Sequence, residues 1–150
     1  MGLYLDYRCA NTTASDKEMK PHFRIGNGGS SSVALSSLSI RYYFTSDGST
    51  SLGFNCDYAT LGCANLSGSF GTATGTNADH YLEVTFGAGA GTLSPGANSG
   101  EIQTRFHDSG FQVTFTQGND YSFDATKTAF GTWDKITLYQ DGALVWGVEP

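Results

Sequence analysis

The sequence predicts an all-β protein, an antiparallel β-sandwich of seven or more short strands. Three observations carry this. Apolar and polar residues alternate with a period of two in seven or more short stretches, and no stretch sustains an apolar period of 3.6. Gly, Pro, Asn and Asp separate the stretches, with 20 glycines in 150 residues. Charged residues make up only 15%, whereas solvent-facing helices are rich in Glu, Lys and Arg.

Taken in order, Leu3, Leu5 and Tyr7 alternate with Tyr4, Asp6 and Arg8 as a first strand. A polar loop over 11–17 leads to a second strand over 20–26, built around Phe23 and Ile25, and Asn27-Gly28-Gly29-Ser30 turns the chain. Leu38, Ile40, Tyr42 and Phe44 then form the apolar face of the organising strand, with Ser39, Arg41 and Tyr43 on the other face. Residues 47–51 read as a turn, and 55–65 as irregular and cysteine-bearing. The cleanest alternation is Tyr81–Phe86, with Leu82, Val84 and Phe86 inward. Ile102, Thr104 and Phe106 point in, and Gln103 and Arg105 out, along 101–106; residues 107–118 read as loop. Gln140-Asp141-Gly142 between two apolar runs is a hairpin signal closing the chain. A Greek-key or jelly-roll connectivity suits such a sandwich.

One domain over 1–150 is the expectation for this length, which suffices for a core without staples. Met1 and Gly2 read as residues added ahead of a module cut from a longer protein. The formal charge of −6, with no basic cluster, argues against a nucleic-acid partner. No apolar run reaches the roughly 18 residues of a membrane-spanning helix.

Three cysteines leave the pairing open. A Cys56–Cys63 bridge would close a short external loop; Cys9 paired with either is an alternative, as are three small buried hydrophobes. Zinc is not expected, because no second Cys or His cluster completes a tetrahedral site. Nor is catalysis. Glu83, Glu101, Asp79, Asp108 and Asp120 are carboxylates without a distinguishing pair, and His22, His80 and His107 lack ligand or triad spacing.

Seven ordered motifs resemble the family 3 carbohydrate-binding modules across the whole chain. They are Lys20-Pro21-His22-Phe23, Ile40–Phe44, Cys56-Asp57-Tyr58-Ala59, Ala78–Glu83, Leu93-Ser94-Pro95-Gly96, Asn119–Phe123 and Leu144–Pro150. The resemblance implies a nine-stranded jelly roll with a structural calcium. It also implies cellulose binding by a non-catalytic module of secreted, extracellular bacterial cellulases and cellulosome scaffolds, which are its expected partners. Asp57, Tyr58, Arg105 and Phe111 match the family's planar strip, with Phe111 where Trp is usual and no counterpart for one further strip Tyr. An Asp–Arg pair is flat and can lie against a pyranose, as a lysine could not. Arg41, Tyr43, Tyr81, Glu83 and Gln103, with Tyr121 nearby, are expected to line a shallow groove on the opposite sheet. That groove supports an alternative role as a helper, a linker-contact module or a binder of single glycan chains. Thr45, Asp47, Thr116, Asn119 and Asp120 match the family's calcium ligands and are all hard oxygen donors.

Overall fold

The structure, a computed structural model, describes residues 2–150. Two antiparallel sheets face each other. The first contains β1 (Leu3–Cys9), β3 (Glu18–Met19), β4 (Pro21–Asn27), β7 (Leu52–Ala59), β11 (Ile102–Asp108) and β13 (Gly131–Thr132). β13, β1, β4 and β11 lie side by side; β3 extends the β4 side of β11, and β7 covers its other edge. The second contains β6 (Leu38–Phe44), β8 (Leu66–Gly75), β9 (Ala78–Phe86), β14 (Ile136–Gln140) and β15 (Ala143–Trp146), in the order β15-β14-β6-β9-β8. Two short ribbons complete the fold, β2 (Ser15–Asp16) with β12 (Phe115–Thr116) and β5 (Val33–Ala34) with β10 (Thr92–Leu93). The chain passes repeatedly from one sheet to the other, giving a jelly-roll sandwich. No helix among the described residues is long and apolar enough to cross a membrane.

Alternation decides the core. Leu38, Ile40, Tyr42 and Phe44 on β6 and Leu82 and Val84 on β9 are at most 2% exposed, and they face Leu5, Phe23, Ile25, Ile102 and Phe106 of the first sheet. Aromatic contacts join the layers: Phe44 lies 4.5 Å from Phe106 between ring centroids, and Tyr42 lies 5.8 Å from Phe106 and 6.0 Å from Tyr7. Thr104, a polar side chain on the buried face of β11, donates to the Pro21 carbonyl at 2.6 Å and so enters the core satisfied.

Three readings change. Residues 55–65 are not irregular throughout, because β7 runs to Ala59. A whole strand, β8, gives no clear sequence signal because its glycines break the alternation; a Cβ at Gly68 would lie 2.3 Å from the Phe54 ring, and one at Gly71 2.4 Å from the Tyr81 ring. The stretch from 107 is not all loop either. β11 continues to Asp108, and Phe115 is fully buried in the core. Cys56 and Cys63 are joined by a disulfide, and Cys9 is a buried free thiol on the inward face of β1.

Candidate functional site

The outer face of the first sheet takes its character from one irregularity. On β11, Thr104 pairs with Cys56 but Gln103 pairs with Tyr58, so Asp57 is an extra residue in β7, a β-bulge. Strict alternation would turn Tyr58 inward. The bulge resets the parity, so Asp57 and Tyr58 both face solvent and Ala59 returns to the core at 7% exposure. Tyr58 is 49% exposed, a large ring left uncovered on a sheet face.

Arg105 stands beside this pair. Its Nε donates to Asp57 Oδ1 and its Nη1 to Glu18 Oε2, both at 2.8 Å. The guanidinium is thus held from two sides, by carboxylates on β7 and β3. These hydrogen bonds, Asp57's first, raise the Arg105 pKa further above its already high ordinary value. Exposed ion pairs add little to stability, so the main effect of this one is to hold a planar guanidinium in place between two strands. Glu18 was missed, although Met19, Pro21, Phe23 and Ile25 are all buried and an alternation read two residues further upstream would have turned Glu18 outward.

Gln103 is corrected. It lies on β11 and pairs with Tyr58 on one side and His22 on the other, so it belongs to this face and not to the groove. Parity along the strand showed that it points out, but not from which sheet. With Arg8 opposite His22, the row Arg8–His22–Gln103–Tyr58 crosses four strands. Along β11 the outward residues are Gln103, Arg105 and His107, spaced roughly 6.8 Å apart. Phe111, 42% exposed, comes back over the end of this line and stacks on His107.

The opposite sheet gathers Arg41, Glu83, Tyr43, Tyr81 and Tyr121. Arg41 Nε donates to Glu83 at 2.8 Å, and its guanidinium sits 4.1 Å from the Tyr81 ring centre and 4.7 Å from that of Tyr139. Tyr43 points outward but is only 3% exposed; the rings of Tyr81 and Tyr121 meet it edge-on, and its hydroxyl bonds Thr137 and Tyr139. It forms the floor of the depression rather than its surface. The hollow of about 290 Å³ is closed by Thr72, Thr74, Glu149 and Pro150. The C-terminal strap is held there, with the Tyr121 hydroxyl donating to the Val148 carbonyl and that of Tyr139 to Glu149.

The five oxygen-bearing residues come from two loops that the fold brings together. Thr45 donates to Asp120 Oδ1 through both its amide (3.0 Å) and its hydroxyl (2.7 Å), and the Thr116 amide donates to Asp47 Oδ2 at 2.8 Å. Asp120 Oδ2 is buried without a partner. Burial, opposed by the Thr45 hydrogen bonds and aided by the charges of Asp47 and Asp79, pushes this carboxyl up to about 7. Among the described residues no three His, Cys, Asp or Glu side chains converge on one point. A cation here would therefore draw on two carboxylates plus hydroxyl and carbonyl oxygens, a donor set suited to calcium and not to zinc.

Over residues 4–147 the chain matches the family described as a cellulose binding domain. It is 50% identical over 146 residues to an uncharacterized protein in the celA 5′ region of Paenibacillus lautus, covering 97% of this chain and 100% of that one. To endoglucanase A of the same organism it is 50% identical over 137 residues, covering 91% of this chain and 19% of the enzyme. The CBM3b of the major scaffoldin subunit ScaA from Acetivibrio cellulolyticus superposes with a TM-score of 0.94 at 38% identity, covering 99% of this chain and 97% of that one. The family match and the superposition both extend over almost the whole chain, and the chain belongs to the family 3 carbohydrate-binding modules, which are non-catalytic.

Proposed function

We propose that this module holds cellulose on the outer face of its first sheet, through Tyr58, Phe111 and the Asp57–Arg105 pair, with Gln103 beside them. One observation carries the reading: the bulge at Asp57 exposes a tyrosine next to a guanidinium held between two carboxylates. Rings and planar polar groups on one level suit the faces and hydroxyls of a flat polysaccharide. The parent chain would be an extracellular bacterial protein in which the module brings a catalytic or scaffold partner to its substrate.

A structural calcium completes the proposal. Thr45, Asp47, Thr116, Asn119 and Asp120 would hold it, and the orphaned, buried oxygen of Asp120 is what supports the site. Bound there, the ion would neutralise that carboxylate and tie the end of β6 to the loop before Tyr121.

The test is depletion of the protein from solution by microcrystalline cellulose, with chitin and xylan as controls. Tyr58→Ala and Arg105→Ala are expected to weaken binding with melting temperature nearly unchanged. Parent-like isotherms for both variants would reject the strip. The groove supports a second reading, contact with a linker or a single glycan chain, because the module's own C-terminal residues already line it. Loss of binding in Tyr81→Ala alone would favour that face.

A further inference from the structure

Phe111 occupies a costly backbone conformation. Its φ of 54° lies in the left-handed region that bulky side chains avoid at a cost of about 1–2 kcal/mol. Such a conformation persists only where the surroundings over-determine it, and an observed outlier invites a functional explanation. Here the surroundings are specific. The Phe111 amide donates to the Asp108 carbonyl at 2.9 Å, and the Gln112 amide to Asp108 Oδ2 at 3.1 Å. These bonds fold the loop back over β11 and deliver the phenyl ring onto the His107 imidazole, with centroids 4.1 Å apart and planes 16° from parallel.

His107 is itself held at both ring nitrogens. Its Nδ1 donates to the Asp108 carbonyl at 2.8 Å, and its Nε2 lies 3.2 Å from the Asn55 side-chain amide on the neighbouring strand. It is 7% exposed. Beneath it, directly across the ladder, is Gly53, and a Cβ there would come within 2.8 Å of the imidazole Cε1. The missing side chain is thus the space in which the imidazole lies. The arrangement is a stack of three layers, a bare backbone, an imidazole clamped at both nitrogens, and a phenyl ring whose remaining face is turned to solvent.

We propose that His107 is a positioning residue for polysaccharide binding, the seat that holds the Phe111 ring level with the strip; this rests on the strip reading given above. The imidazole does not touch the glycan. It sets the height and tilt of a ring that, at the end of an exposed loop, would otherwise sample many orientations and give up part of its stacking on being ordered. Gly53 acts one step further back by leaving the imidazole room to lie flat.

A double-mutant cycle on microcrystalline cellulose tests this, with Phe111→Ala, His107→Ala and the pair combined, and melting temperatures recorded in parallel. His107→Ala is expected to weaken binding about two- to fivefold, within the roughly five- to tenfold loss of removing Phe111. In the Phe111→Ala background the same change is expected to add almost nothing, whereas an independent site would repeat its full loss to within about twofold. His107→Phe, which keeps a flat ring but neither hydrogen bond, is expected to restore most of the affinity. Gly53→Ala, which displaces the imidazole without removing it, is expected to weaken binding only while Phe111 is present.

His107→Ala binding like the parent, or an undiminished loss in the Phe111→Ala background, would overturn the proposal. So would a loss that His107→Phe fails to restore. If His107→Ala proves too unstable to assay, Gly53→Ala decides by the same criterion. Phe111→Ala and Tyr58→Ala both binding like the parent would instead remove the strip itself, an outcome distinct from losing the seat alone.

Discussion

Asp120→Asn separates the cost of the proposed ion site from its benefit. Without a metal, burial lifts the Asp120 carboxyl from 3.8 to about 7. At about 1.36 kcal/mol per unit, keeping it ionised above neutrality costs the fold on the order of 4 kcal/mol. The sign follows from linkage. The folded state binds this proton more tightly than the unfolded chain, so this contribution to stability falls as pH rises from 3.8 to about 7 and is level beyond. Asparagine carries no charge and keeps an oxygen for the two Thr45 donors. It also places a buried amide where Oδ2 has no partner, which costs about 1–3 kcal/mol. The expected balance in chelator near pH 8 is a gain of about 1–3 kcal/mol, or roughly 3–9 °C for a domain of this size. Calcium should reverse the order, because an ion bound only by the folded state stabilises the parent by mass action and the variant lacks a charged ligand. Thermal melts in millimolar calcium and in excess chelator, near pH 5 and pH 8, test the crossover. Equal melting of the parent in both solutions, with the variant less stable in each, would refute both the site and the argument.

Four further outcomes follow. Phe111→Trp is expected to bind cellulose more tightly by adding ring area, read from the same depletion isotherms; weaker binding would mean that the His107 seat does not accept the larger ring. Phe111→Gly should melt at or above the parent temperature, since strain of about 1 kcal/mol or more is relieved at φ 54°, yet lose binding; a clear fall in melting temperature would show that the ring's packing outweighs the strain. The Ser49 hydroxyl, then the Gln112 amide, hold the Asp108 carboxyl below its usual range, so the tether under Phe111 is complete above the ordinary carboxylate pKa and is lost only as pH falls through that lowered value; a Gln112 amide resonance titrating at or above the ordinary value would contradict this. Alkylation under denaturing, non-reducing conditions should label Cys9 alone, and labelling of all three cysteines in oxidatively produced protein would exclude the bridge.

How far the sequence could be read depended on what each residue's neighbours supplied. β6 is legible because its inward side chains are all apolar or aromatic and fully buried, so Leu38, Ile40, Tyr42 and Phe44 carry a clean period of two. β8 is not, since Gly68 and Gly71 record the rings of Phe54 and Tyr81, which lie on other strands. Parity indicates which way a side chain leaves its strand, but neither the sheet nor the cover over it. That is why Gln103 was assigned to the wrong face and why Tyr43, outward by parity, is roofed by two other tyrosines. Asp57, Tyr58, Arg105 and Phe111 were named through family resemblance; alternation alone would have buried Tyr58. His107 and Gly53 had no local signal, because their relation exists only across the β7–β11 ladder.

β7 shows how one strand meets two demands at once. It lies at the edge of the first sheet, where unpaired backbone groups invite association with another chain. A bulge at Asp57 and a disulfide from Cys56 to Cys63 interrupt that edge. The same devices serve the proposed platform. The bulge turns Asp57 and Tyr58 outward together, and the bridge anchors the strand immediately before them. Gly53 at the other end leaves the space in which His107 lies. Each feature that makes β7 a poor template for further pairing also places a group on the face that cellulose would meet. A regular strand in its place would bury Tyr58 and present an edge free to pair. The irregularity of β7 is thus the physical origin of the proposed binding face.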